Sequence, residues 1–152
     1  MASPSTLAVI ERYDEYRHAL NELIASIVTG IASPALFDDA GARDEAVRCA
    51  GKHYPFVDLL YLLDAAGMQI TPNLPVRKNH PAGGRGLGIS RNQRPYFVLA
   101  QKQADGVAIT APYLSHASGL LCITAIVRIG RPNQSGDEDS GYLVLDIYLA
   151  EA

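Results

Sequence analysis

The chain has 152 residues, 48% of them hydrophobic and 19% charged, with 13 Lys and Arg against 16 Asp and Glu for a net charge of -3. That length accommodates one domain burying about two-thirds of its unfolded surface, and the composition excludes a disordered tail. The acidic balance excludes a general attraction to nucleic acid.

The opening MASPSTLAVIERYDEY has no basic stretch leading into an apolar core, so it does not read as a secretory signal. From Leu7 to Ile31 apolar residues recur every three or four positions (Leu7, Ile10, Tyr13, Tyr16, Leu20, Leu23, Ile24, Ile27, Val28, Ile31), with Glu and Arg between them. This spacing predicts one long amphipathic helix, with Ser3 or Ser5 as cap candidates and Pro4 in the first turn. A stripe of that length invites either packing on the domain's own sheet or a homodimer, and both stay open here. The run LIASIVTGIASPALF, 23–37, is too short and too interrupted to span an apolar layer of about 30 Å. Asp38 and Asp39 are cap candidates for a second helix, DDAGARDEAVRCAGKHY, ending near Tyr54. Cys49 and Cys122 lie far apart without CxxC spacing, which predicts buried thiols and neither a disulfide framework nor a zinc site.

After Tyr54 the period changes. VDLLYLLDAAGMQIT predicts a strand, a tight Asp-Ala-Ala-Gly turn at 64–67 and a returning strand. Residues 71–93 read as a long Pro-, Gly- and Asn-rich loop, a kind of segment that in compact domains is functional or disordered. Pro95 opens a short helix through about Gln103. VAITAPYLS (107–115), GLLCITAIVRI (119–129) and GYLVLDIYLA (141–150) are strand candidates with short connections, hence antiparallel neighbours. The predicted fold class is α+β: a long N-terminal helix and a second helix packed on one antiparallel PAS-like sheet. It forms a single domain over 1–152, helical over 1–53 and sheet with a ligand-binding loop over 54–152.

One local feature departs from the overall charge. No acidic residue occurs between Asp64 and Asp105, while Arg77, Lys78, Arg85, Arg91, Arg94 and Lys102 fall in that interval. GGRGLG at 83–88 lacks the spacing of a phosphate-binding loop and reads better as a flexible flap. Ser115-His116 lacks the motif of a nucleophilic hydrolase, and the four histidines do not fall at metal-ligand spacings. Catalytic, cofactor and metal sites are therefore not expected. Asp146 interrupts the apolar strand GYLVLDIYL; alternation places it with Tyr142, Val144 and Tyr148, opposite Leu143, Leu145, Ile147 and Leu149. It either lines a polar pocket or is a solvent-facing acid. Arg94 has the planar fork that grips a carboxylate, Tyr96 and Phe97 offer an amphipathic and an apolar wall, and Tyr113 offers a hydroxyl. The same residues also read as the core side of a short helix with a solvated arginine cap.

The series YLLDAAGMQIT, a glycine-rich loop, RPYF, ITAPYLS, SGLLCITAIV and GYLVLDIYL resembles the Cache-type (PAS-like) extracellular sensor domains of bacterial receptors, from about Tyr54 to the C-terminus. The long first helix also matches that architecture. The resemblance implies a sheet whose face and overlying loops bind amino acids, carboxylates or amines. For amino acids it puts Arg94, Tyr96 and Phe97 on the carboxylate motif, Tyr113 on an assisting strand tyrosine and Asp146 on the ammonium. Tyr96 stands where the family motif has tryptophan, and Phe97 lacks the usual tyrosine hydroxyl, which leaves the ligand class open. The expected function is a non-enzymatic sensor that takes a small carboxylate or amino acid and signals through helix or dimer rearrangement. The alternative is a ligand-free protein-interaction module of the same fold. As written the chain reads as cytoplasmic, and as extracytoplasmic if it is cut from a larger membrane receptor.

Overall fold

The structure, a computed structural model, describes residues 4–54, 57–76, 83–102, 106–114, 121–132 and 138–148. Helix α1 (Pro4–Ile31) contributes Ile24, Ile27, Val28 and Ile31 to the core, a spacing of three, four and seven that keeps them on one face. Each such burial contributes about 1.5–3 kcal/mol. Leu23 departs from the predicted stripe, being 50% exposed, because it sits off that face. Ser5 lies inside α1, so it is not the cap, and Ser3 lies outside the described residues. A short α2 (Ala35–Asp38) precedes α3 (Ala40–His53), whose N-cap is Asp39: its Oδ1 accepts from the Gly41 N–H at 2.8 Å. Among the described residues no helix is long and apolar enough to cross a membrane.

Among the described residues six strands form one antiparallel sheet: β1 (Val57–Asp64), β2 (Leu74–Pro75), β3 (Val107–Ile109), β4 (Tyr113–Leu114), β5 (Leu121–Pro132) and β6 (Glu138–Tyr148). Their spatial order is β2-β1-β6-β5-β3, with β4 also on β5, so β6 lies in the middle of the sheet beside β1. The hairpin expected after β1 takes a different form. The turn is there, with the Asp64 carboxylate accepting from the Ala66 and Met68 N–H groups at 3.0 and 2.9 Å and Gly67 at φ 88°. The returning chain makes only isolated bridges at Met68 and Gln69 before β2. The predicted strand 107–115 likewise splits into β3 and β4. Pro112 has no N–H to give to a ladder, and Thr110–Pro112 fall outside both strands, with the Thr110 N–H still donating to Thr124 O at 3.0 Å.

The sheet has two buried faces. On one, Val57, Leu60, Leu62, Ile123, Ala125, Ile129, Leu143, Leu145 and Ile147 pack under α1, α2 and α3. On the other, helix α4 (Pro95–Lys102) covers Tyr61, Leu63, Ala108, Ile126, Tyr142 and Val144. Val57 pairs with Ile147, yet Leu59 pairs with Asp146, so Asp58 is an extra residue in β1. This bulge shifts the alternation, putting Val57 on the α1 face while Leu59 and Tyr61 turn to the other.

Candidate functional site

The α4 face does not close completely. Beside α4 lies a cavity of about 350 Å3, partly open to solvent. Leu59, Tyr61 and Asp146 line it from the sheet. Arg91, Arg94, Pro95 and Tyr96 line it from the start of α4 and the turn before it, Thr110, Ala111 and Pro112 from the segment between β3 and β4, and Tyr113 from the start of β4. Asn73 completes the lining. Most of this wall is apolar, with the polar groups confined to a few points, the usual make-up of a small-molecule site.

Asp146 is 7% exposed and sits in a row across three strands, Leu59 on one side and Thr124 on the other, as their pairing dictates. The solvent-facing reading of this acid is thereby excluded. The Thr124 hydroxyl donates to Asp146 Oδ1 at 2.9 Å. With its proton so used, Thr124 Oγ1 accepts from the Tyr113 hydroxyl, with which it is in contact. The Thr124 N–H in turn donates to Thr110 Oγ1 at 3.0 Å. The result is a Tyr113–Thr124–Asp146 relay that engages one of the two carboxylate oxygens. Burial pushes the Asp146 carboxyl up from 3.8 to about 6, against the Thr124 hydrogen bond and the Arg91 charge, with the nearby Asp58 adding to the rise. Burial and then the Asp146 charge also push the Tyr113 hydroxyl well above its ordinary range, and burial raises the Cys122 thiol to about 11. Cys122 is buried as expected, whereas Cys49 is only half-buried; both are free thiols.

The residues singled out from the sequence divide three ways. Arg94, Tyr96, Tyr113 and Asp146 come together around the cavity. Phe97 does not: it is 1% exposed and meets Tyr142 edge to face, ring centroids 5.1 Å apart. Successive helix residues point about 100° apart, so a helix that turns Tyr96 to the cavity must turn Phe97 to the sheet. Ser115, His116 and His80 lie outside the described residues.

Several contributors escaped the sequence reading. Tyr61 looked like one more residue of an apolar strand, but its hydroxyl donates to that of Tyr96 at 2.9 Å. Both phenols are raised, mainly by burial. Thr110 and Thr124 are likewise buried polar residues within strand-like sequence. Gln69 is 1% exposed. Its amide donates to the Thr71 carbonyl and to Asn73 Oδ1, both at 2.8 Å, and its oxygen accepts from Arg91 Nε at 3.0 Å. The Arg91 guanidinium also stands 6.0 Å above the Tyr61 ring.

The glycine-rich segment is no free flap where it is described. Its backbone is pinned to the returning chain through Gln69 N–H to Ile89 O, Gly88 N–H to Gln69 O and Arg91 N–H to Gly67 O, at 2.7–2.9 Å. Gly86, at φ 94°, lets this backbone close on the Gln69 amide: a Cβ there would lie 2.5 Å from its nitrogen.

No family model and no curated protein matches the chain. Solved structures do. The ligand-binding domain of the Campylobacter jejuni chemoreceptor Tlp3, in complex with L-valine, aligns with a TM-score of 0.62 at 12% identity over 93% of this chain and 57% of that one. The extracellular domain of the putative histidine kinase vpHK1S-Z8 aligns at 0.60, with 16% identity over 94% and 56%. The Bacillus subtilis YkuI protein, with an EAL domain and in complex with substrate c-di-GMP and calcium, aligns at 0.60, with 15% identity over 91% of this chain and 34% of that one. The chain therefore spans about half or less of each matched structure. What it shares with them is the fold: α+β, with helices packed on an antiparallel, PAS-like sheet, as in those ligand-binding domains.

Proposed function

We propose that this domain is a non-enzymatic sensor that binds a small amino acid in the cavity beside α4, with Arg94 on the carboxylate and Asp146 on the ammonium. The observation that carries the reading is Asp146: a carboxylate on the cavity wall, buried, raised to about 6, and held by one neutral hydroxyl. Burying a charge that a hydroxyl and the nearby Arg91 only partly offset is costly, and a ligand ammonium is the group that would relieve it. Arg94, half-buried in the same lining and without an ion-pair partner among the described residues, supplies the opposite pole. The ligands bound in structures of the same fold, L-valine and asparagine, agree with a zwitterion as the class.

Transmission follows from the strands. Thr124 and Asp146 alternate with Ile123, Ala125, Leu145 and Ile147, which pack against α1 from the opposite face. A ligand that draws in the α4 face shifts residues one position away from the helix contact, which is how ligand occupancy would change the packing of α1 or of a homodimer built on it.

The test is calorimetry with a panel of amino acids, amines and carboxylates. At about a hundred times Kd a true ligand adds roughly 2.7 kcal/mol of stability. Loss of binding in both Arg94→Ala and Asp146→Asn supports a zwitterion. Loss in Arg94→Ala alone points to a simple carboxylate, and no binding by any member removes the reading.

A further inference from the structure

An amino acid with a single carboxylate leaves one charge of this cavity unanswered. Arg91 and Arg94 both line it, against one carboxylate, Asp146, and among the described residues neither guanidinium has an ion-pair partner. Among the residues that line the cavity, two guanidiniums and one carboxylate leave a single net positive charge; the buried Asp58 stands near Asp146 but outside the lining. A zwitterion preserves that imbalance inside a partly desolvated site, whereas a ligand of net charge -1 cancels it.

Arg91 is also the better fixed of the two. Its Nε donates to Gln69 Oε1 at 3.0 Å, and the Gln69 amide nitrogen is itself committed to Thr71 O and Asn73 Oδ1. Gly86 closes against that amide with no room for a Cβ, and the Tyr61 ring lies beneath the guanidinium. With Nε engaged, the Nη1/Nη2 edge remains, a fork spaced for the two oxygens of a carboxylate. Gln69 is thus a positioning residue, acting through Arg91.

We infer that the preferred ligand is an amino acid with a second acidic group, a dicarboxylic amino acid: its α-carboxylate meets Arg94, its ammonium Asp146 and its side-chain carboxylate Arg91. The inference rests on the amino-acid reading above and sharpens it. Leu59, Pro95 and Pro112 supply the apolar wall that the connecting methylenes need.

The experiment compares L-glutamate with L-glutamine, and L-aspartate with L-asparagine, by titration calorimetry on the wild type, Arg91→Gln and Arg91→Lys. The acids are expected to bind at least roughly tenfold more tightly than their amides to the wild type. Arg91→Gln should erase that preference, with the acids losing more affinity than the amides, and Arg91→Lys, which keeps the charge without the fork, should retain part of it. Equal or tighter binding of the amides or of L-valine would overturn the inference and leave the amino-acid reading standing. Equal loss of acids and amides in Arg91→Gln would overturn it too, because Arg91 would then be holding the α-carboxylate. If no amino acid binds, the reading itself falls and the inference with it.

Discussion

Ile123, Ala125, Leu145 and Ile147 lie under the helices on one face of β5 and β6, each 3% exposed or less. One position along the same strands, Asp146 lines the cavity at 7% exposed, and Thr124, fully buried, donates from its hydroxyl to that carboxylate. The first set is apolar throughout and its burial is pure gain. The second includes a carboxylate raised to about 6, with Asp58 and the Tyr61, Tyr96 and Tyr113 phenols nearby, so its burial opposes folding. The difference teaches that this sheet is stabilised from one side and made useful from the other. The fold carries an electrostatic cost at Asp146 because the α1 face offsets it.

The comparison breaks most visibly on the stabilising face. Leu145→Ala should cost about 2–5 kcal/mol in urea unfolding, since the side chain is fully buried and leaves a cavity. A loss below 1 kcal/mol would mean that this face is not the main core.

On the opposite face the sign should reverse. The folded state holds the Asp146 proton more tightly than the unfolded chain, so stability falls as pH rises from about 4 to about 6 and the whole cost is present above that. Asp146→Asn should therefore raise the stability of the ligand-free domain at pH 7, by up to about 3 kcal/mol, and flatten its pH dependence in that window. A destabilised variant would show that the carboxylate already has its counter-charge. In the wild type, affinity for an ammonium-bearing ligand should fall about tenfold per unit as pH drops below about 6, measured by calorimetry across pH 4.5–7.5.

A smaller effect is expected where the two regions are stitched together. Gly86→Ala places a methyl against the Gln69 amide at a positive φ and should cost about 1 kcal/mol. Because the displaced amide releases Arg91, ligand affinity should weaken as well; a pure stability loss with unchanged affinity would argue that Gln69 does not position Arg91.

How much of this was legible depended on sequence distance. The α1 face was readable because its periodicity is local, and Asp146 because an acid breaks an alternating apolar strand. Arg94 and Tyr96 were readable through the resemblance carried by RPYF. Phe97 was misplaced because adjacency in sequence is not adjacency on a helix. Gln69 and Arg91 meet across 22 positions through a loop whose hydrogen bonds follow no period, and Tyr61 differs from its leucine neighbours only by a hydroxyl whose partner lies 35 residues away. The bulge at Asp58, which turns Leu59 and Tyr61 toward the cavity, is a register shift that composition does not announce.

The central claim is that Asp146 waits for the ligand's ammonium, and its titration tests this most directly. The carboxyl carbon of Asp146 should be followed by NMR across pH 3–8, free and saturated with the tightest amino acid of the panel. The account predicts a midpoint near 6 in the free protein, falling by at least a unit on saturation, as an opposite charge arrives beside it. A free midpoint near the ordinary 3.8, or one that the ligand leaves unmoved, would contradict it.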